Sequence, residues 1–259
     1  MKVHVKGVPY IDDLRGIKNS EGRKIKPHLL YRSANLSKMK DNGEYLQSKY
    51  NVKDVIDLRT DDEIKNKPES LNKDINYYHF PIATAKENPT VSKETRMKML
   101  KEISARPGGT KKYMRDFYPV MMRSEKAIGY YKQIFKLLLE GKKDEAVLFH
   151  CTQGKDRTGI ILMLILSALE VKKKIIIKQY MRYNCINWFF KFYVGLGMTL
   201  FKSPRLAVAL SHFLSARKAY IEAAYETIDK EFKGIKNYLS NIIGLTDNDI
   251  KTLKLKYLK

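Results

Sequence analysis

Val147-Leu148-Phe149-His150-Cys151-Thr152-Gln153-Gly154-Lys155-Asp156-Arg157-Thr158-Gly159 is the stretch whose reading decides the fold. Its apolar start predicts a strand ending at His150, a tight loop from Cys151 to Asp156, and a helix from about Arg157 that carries the apolar run Ile160 to Leu169. Backbone N–H groups of such a loop and of the first helical turn converge on one point, which makes it an anion site.

The residue types suit thiolate chemistry on phosphate. Cys151 lies where amide dipoles, a helix N-terminus and Arg157 all favour negative charge, the setting of a nucleophilic thiolate. Arg157 presents a planar fork of donors that matches two phosphate oxygens. Thr152, Gln153, Gly154, Lys155 and Asp156 complete the phosphate-binding loop with Arg157, and Gly154 lets the backbone turn close to the anion. The Thr158 hydroxyl is expected to donate to the sulfur as Cys151 departs, and His150 to orient the loop through a hydrogen bond. Lys155 is expected as a second cation at the pocket mouth. Cysteine in a strand-to-helix loop also suits a sulfurtransferase, but that chemistry does not call for Gly154, Arg157 and Thr158 behind it.

At 259 residues with 44% hydrophobic content, one catalytic domain over the whole chain is the expectation. Lys and Arg number 50 against 28 Asp and Glu, a net charge of +22. Because the lysines are scattered and no nucleic-acid-binding signature occurs, solvated lysine-rich faces explain the charge and no nucleic-acid partner is expected. Two cysteines, Cys151 and Cys185, make no disulfide framework. A reactive thiol needs reduced surroundings and the first residues lack a signal-peptide apolar region, so the expected location is cytoplasmic, with export by another route left open.

Along the chain, residues 1–28 predict short strands on the domain edge. Strands follow at Leu29–Arg32, Asp54–Leu58 and Ile75–Phe80, with a helix from an N-cap at Ser37 through Tyr50 and another over Asp61–Lys67. Arg106-Pro107-Gly108-Gly109 interrupts helical stretches, and Ser124 opens a helix through Leu139. Strands alternating with helices give an α/β fold with a central, largely parallel sheet flanked by helices. Arg32 and Arg59 stand at strand ends, where open sheets place ligands, and either supports the loop or belongs to a buried ion pair. Asn187 to Phe201 and Leu206 to Leu214 are apolar on more than one face, which reads as a buried helical hairpin or as a surface that meets membrane transiently.

In its loop, which reads His-Cys-x-x-Gly-Lys-Asp-Arg-Thr-Gly, the chain resembles the bacterial branch of cysteine-dependent tyrosine and dual-specificity phosphatases that has mycobacterial and listerial members. Tyr31-Arg32-Ser33-Ala34-Asn35-Leu36, Val55-Ile56-Asp57-Leu58-Arg59 and Gly244-Leu245-Thr246 extend the similarity over nearly the whole chain. The resemblance implies a cysteine-phosphatase fold with residues 182–216 inserted as a helical lid. It implies hydrolysis of phosphotyrosine, with dual specificity, on phosphorylated proteins through a phosphocysteine intermediate, without metal, cofactor or stable partner; phosphoinositides are the alternative substrate. An aspartate that the branch places after Phe-Pro is replaced by Ile82, and the one tryptophan, Trp188, is followed by Phe189-Phe190, so the usual acid loop is missing. Asp156 is then the best general acid, with a loop-bracing pair as its other reading and Asp57 and Asp116 as weaker acids.

Overall fold

The computed structural model describes residues 2–82, 93–106, 108–186 and 204–259. Its sheet has the order β1-β2-β3-β6-β4-β5, formed by β1 (Lys2–Val3), β2 (Ile11–Asp13), β3 (Leu30–Ser33), β4 (Val52–Asp57), β5 (Asn76–His79) and β6 (Ala146–His150). Strands β3, β6, β4 and β5 run parallel, and β1 and β2 add an antiparallel edge. The largely parallel sheet read from the sequence is therefore present.

Strand β6 is buried along its length because it lies between β3 and β4 and is covered on both faces. Its side chains alternate with the pleat. Val147 and Phe149 join the core that includes Leu30 and Ile56, together with side chains of α4 (Gly109–Arg123), α5 (Glu125–Glu140) and α6 (Asp156–Ala168). Ala146 and Leu148 join the core on the other face with Tyr31, Val55 and Leu46 of α1 (Glu44–Tyr50). Helix α6 is apolar all round from Ile160 to Leu166, and it is buried all round to match. A central buried strand feeding a central buried helix fixes the loop between them.

Ser124 caps α5 as expected, its hydroxyl accepting from the Ala127 amide. Ser37 does not cap a helix: its hydroxyl donates to Asn35 Oδ1, and the helix starts only at Glu44. Asp41-Asn42-Gly43 overrides it. Asn42 and Gly43 take positive φ of 48° and 86°, and the Asp41 carboxylate accepts the Gly43 and Tyr45 amides. Helix α2 (Asp61–Asn66) starts in a capping box, with Thr60 and Glu63 bonding each other's amides.

The remaining helices are α3 (Lys93–Ala105), α7 (Lys173–Met181), α8 (Tyr183–Ile186), α9 (Pro204–Leu214), α10 (Lys218–Glu231), α11 (Ile235–Asn237) and α12 (Asp247–Tyr257). Of the expected lid, α8 and α9 are described, while residues 187–203, with Trp188, lie outside the described residues.

Candidate active site

The loop after β6 is held from behind by its carbonyls. Thr152 O accepts from the Asn35 side chain at 2.8 Å, Gln153 O from the Tyr10 hydroxyl at 3.1 Å, and Gly154 O from both Tyr10 and Arg32 at 2.6 Å. Among the described residues, no acceptor within the protein takes the amides of Thr152, Gln153, Gly154 or Lys155. Carbonyls turned outward with donors unused is the arrangement of an anion cradle. Gly154 is required there: its φ is +65°, and an added Cβ would lie 2.1 Å from Ser33 O and 2.2 Å from the Tyr10 oxygen. Cys151 sits at the strand end, 3% exposed.

Arg157, in the first turn of α6, is gripped by a residue the sequence reading did not single out. Its Nη1 donates to Glu63 Oε2 at 2.5 Å and its Nη2 to Glu63 Oε1 at 2.8 Å, while Leu58 O takes a further bond at 3.1 Å. Glu63 also accepts the Thr152 hydroxyl and the Thr60 amide. Burial by itself would push the Glu63 carboxyl up, but the Arg157 guanidinium outweighs it and holds the group down at about 2. Glu63 thus fixes the orientation of the arginine and one wall of the loop together.

Asp156 is the first residue of α6, and its side chain is 20% exposed. Oδ1 accepts from the Tyr118 hydroxyl at 2.5 Å, and Oδ2 lies 3.5 Å from Lys155 Nζ. It makes no arginine pair, so the loop-bracing alternative in that form is not what the structure has. The weaker acids are elsewhere engaged: Asp57 is bound by Arg59 and by the Tyr77 hydroxyl, and Asp116 pairs with Lys112 on the exposed side of α4. Ile82 is fully buried.

Two expectations change, those for Lys155 and His150. Lys155 is not at the pocket mouth: it is 1% exposed, with Nζ donating to Phe213 O near the end of α9. Burial pushes its ammonium down, opposed by Asp156. The helix end that covers it was not visible from the loop sequence. Of its two readings Arg59 takes the buried ion pair, with Nη2 at 2.6 Å from Asp57 and 3.0 Å from Glu69. Thr158 is buried, and its hydroxyl has no hydrogen-bond partner. His150 does not hydrogen-bond the loop. Its Nε2 faces Glu69 Oε2 at 3.3 Å and its Nδ1 faces Asp57 Oδ1 at 3.8 Å, both outside hydrogen-bond geometry. Arg32 does support the loop, through Gly154 O and through Gln179 O at 3.2 Å.

Asp57, Glu69 and His150 bring one ligand atom each within 4.8 Å of one another, the one such group among the described residues. The Arg59 guanidinium already fills it as the counter-cation. The described ends of residues 182–216 meet the loop: Tyr183 donates to Gln153 Oε1 at 3.4 Å, and the Asn184 side chain bonds both backbone groups of Ala216.

A strand-end cysteine, a loop of unused amides and a fixed arginine form a site suited to phosphate, that of a phosphoric monoester hydrolase. The chain belongs to the tyrosine phosphatase family, whose model matches residues 3–259. It is 26% identical over 247 residues to the triple specificity protein phosphatase PtpB of Mycobacterium tuberculosis, covering 83% of this chain and 86% of that protein. It is 26% identical over 251 residues to a putative tyrosine-protein phosphatase of Cupriavidus necator, covering 95% and 84%. A tyrosine-protein phosphatase of Nostoc commune is 31% identical over 149 residues, 58% of this chain and 46% of that protein.

Proposed function

We propose that the protein hydrolyses phosphotyrosine on phosphorylated proteins through a phosphocysteine intermediate, with Cys151, Arg157 and Asp156 as the catalytic residues. The observation that carries this reading is the bidentate Glu63–Arg157 pair beside Cys151 and the unused loop amides, which is pre-organised for the equatorial oxygens of a transferring phosphoryl group. In the first step Cys151 Sγ attacks phosphorus, the S–P bond forms, and the P–O bond to the leaving group breaks as Asp156 gives that oxygen a proton. In the second, Asp156 takes a proton from water, the water oxygen attacks phosphorus, and the S–P bond breaks to return the thiolate and release inorganic phosphate.

Relatives named as tyrosine phosphatases support the phosphotyrosine substrate, and the name of the mycobacterial relative supports a broader range. A phosphoinositide would offer extra phosphates to a loop cation, but Lys155 is enclosed under α9 and does not favour that alternative. The test compares phosphate release from phosphotyrosine peptides and from phosphoinositides by the wild type and Cys151→Ser. Cys151-dependent release chiefly from peptides is expected; release chiefly from lipids, or turnover that survives in Cys151→Ser, overturns the proposal.

A further inference from the structure

Tyr118 and Tyr180 are both fully buried, and their rings alone would fill the same space without hydroxyls. A buried hydroxyl costs stability unless it is hydrogen-bonded, so each needs partners. They find them in series. Tyr118 donates to Asp156 Oδ1 at 2.5 Å, and the Tyr118 and Tyr180 oxygens are 2.6 Å apart. The direction of the chain follows from proton counting. Each phenol has one proton, and an ionised carboxylate only accepts. With Tyr118 donating to Asp156, Tyr180 donates to Tyr118. The reverse order would leave the Tyr180 proton buried without an acceptor. Burial holds both phenols well above their ordinary value of 10.0, which keeps them neutral donors.

We propose that Tyr118 and Tyr180 are positioning residues of the reaction: their hydroxyls, in series, hold the Asp156 carboxyl so that its Oδ2 is the atom that gives and takes the proton. This rests on Asp156 as the acid and names what orients it. When Asp156 is protonated, Oδ1 still faces a donor, so the proton resides on Oδ2 and passes from there to the leaving-group oxygen. The same oxygen later takes the proton from water. Lys155 Nζ, 3.5 Å from Oδ2, is tied to Phe213 O, and among the described residues Oδ2 takes no hydrogen bond. The end of α9 therefore supports Lys155 of the loop.

Several other groups act on this carboxyl. Arg157 and Cys151 are its loop neighbours, and Tyr220 of α10 lies in its field. His212 of α9 bonds Tyr220 at 3.0 Å, and the Arg217 charge acts on Lys155 and Tyr220. None of these donates to Oδ1, so replacing Tyr118 isolates the relay.

The experiment measures kcat against pH for Tyr118→Phe, Tyr180→Phe, Asp156→Asn and the double variant Tyr118→Phe/Asp156→Asn, with p-nitrophenyl phosphate and with phenyl phosphate, a poorer leaving group. Losing a donor to the carboxylate should move the basic limb of Tyr118→Phe up by about one pH unit, with a loss of about tenfold on phenyl phosphate and less on the nitro compound. Tyr180→Phe should do the same to a smaller extent. Tyr118→Phe should change nothing further in the Asp156→Asn background. Tyr225→Phe, the same deletion in a buried tyrosine away from the loop, controls for packing and should leave the profile unmoved. If Asp156→Asn removes the basic limb and Tyr118→Phe leaves it in place, the positioning proposal fails alone. If Asp156→Asn keeps the limb, the acid assignment fails and takes the proposal with it.

Discussion

Replacing Glu63 by Gln keeps the shape of the Arg157 partner and removes its charge. Glu63 is held from its ordinary 4.5 down to about 2, a difference of about 2.5; at about 1.36 kcal/mol per unit this is on the order of 3 kcal/mol of stability at pH 7. The group is largely buried, so solvent screening takes little of it. A carboxyl whose folded value lies below its unfolded value contributes stability that is complete above about 4.5 and lost as pH falls through about 2. Urea unfolding of wild type and Glu63→Gln at pH 7 and at pH 3 reads this directly. The gap should be about 3 kcal/mol at pH 7 and shrink to about 1 kcal/mol at pH 3. The variant should also lose kcat/KM by about tenfold or more, since a loosened guanidinium no longer meets the transition state in place. A gap that is the same at both pH values, or under about 1 kcal/mol at pH 7, refutes the claim that the Arg157 charge sets the state of Glu63.

Gly154→Ala forces a Cβ to within 2.1 Å of Ser33 O at a positive φ; activity should drop by two orders of magnitude or so, with a stability loss of about 2 kcal/mol or more by thermal melting. Arg59→Leu leaves Asp57 and Glu69 buried without their cation, and should cost about 3–5 kcal/mol in urea unfolding. The folded fraction of Arg59→Leu should keep KM within about twofold, since Arg59 is not placed on substrate. Burial lowers the Lys155 ammonium below 10.5, so the folded state releases that proton first and wild-type stability should rise relative to Lys155→Met as pH climbs toward 10.5. Parallel melts between neutral and alkaline pH read the slope, and parallel curves contradict it.

The strand, loop and helix around Cys151 were legible because each is encoded locally. An apolar strand, a glycine at a left-handed position and an apolar run of helix length occur in one stretch, Val147 to Leu169. What supports the loop was not legible, because its partners are distant in sequence. Thr60 and Glu63 announce a capping box, but nothing local says that Glu63 will meet Arg157, 94 positions away. Tyr10 and Tyr118 read as core aromatics, and only the fold brings their hydroxyls to Gly154 and Asp156, 144 and 38 positions away. Lys155 misled for the same reason: a loop lysine is exposed by default, and the helix end that encloses it comes 58 positions later. At Ser37 the failure was between local signals, where Asp41, Asn42 and Gly43 formed a stronger turn.

The central claim is a covalent phosphoryl transfer to Cys151. Acid quench of the enzyme during turnover of a phosphotyrosine peptide, followed by digestion and mass spectrometry, tests it most directly. The account predicts a phosphoryl adduct on the peptide that contains Cys151, accumulating more in Asp156→Asn if water attack slows, and absent from Cys151→Ser together with turnover. Turnover without any adduct, in an enzyme whose Cys151→Ser variant still releases phosphate at the wild-type rate, would contradict it.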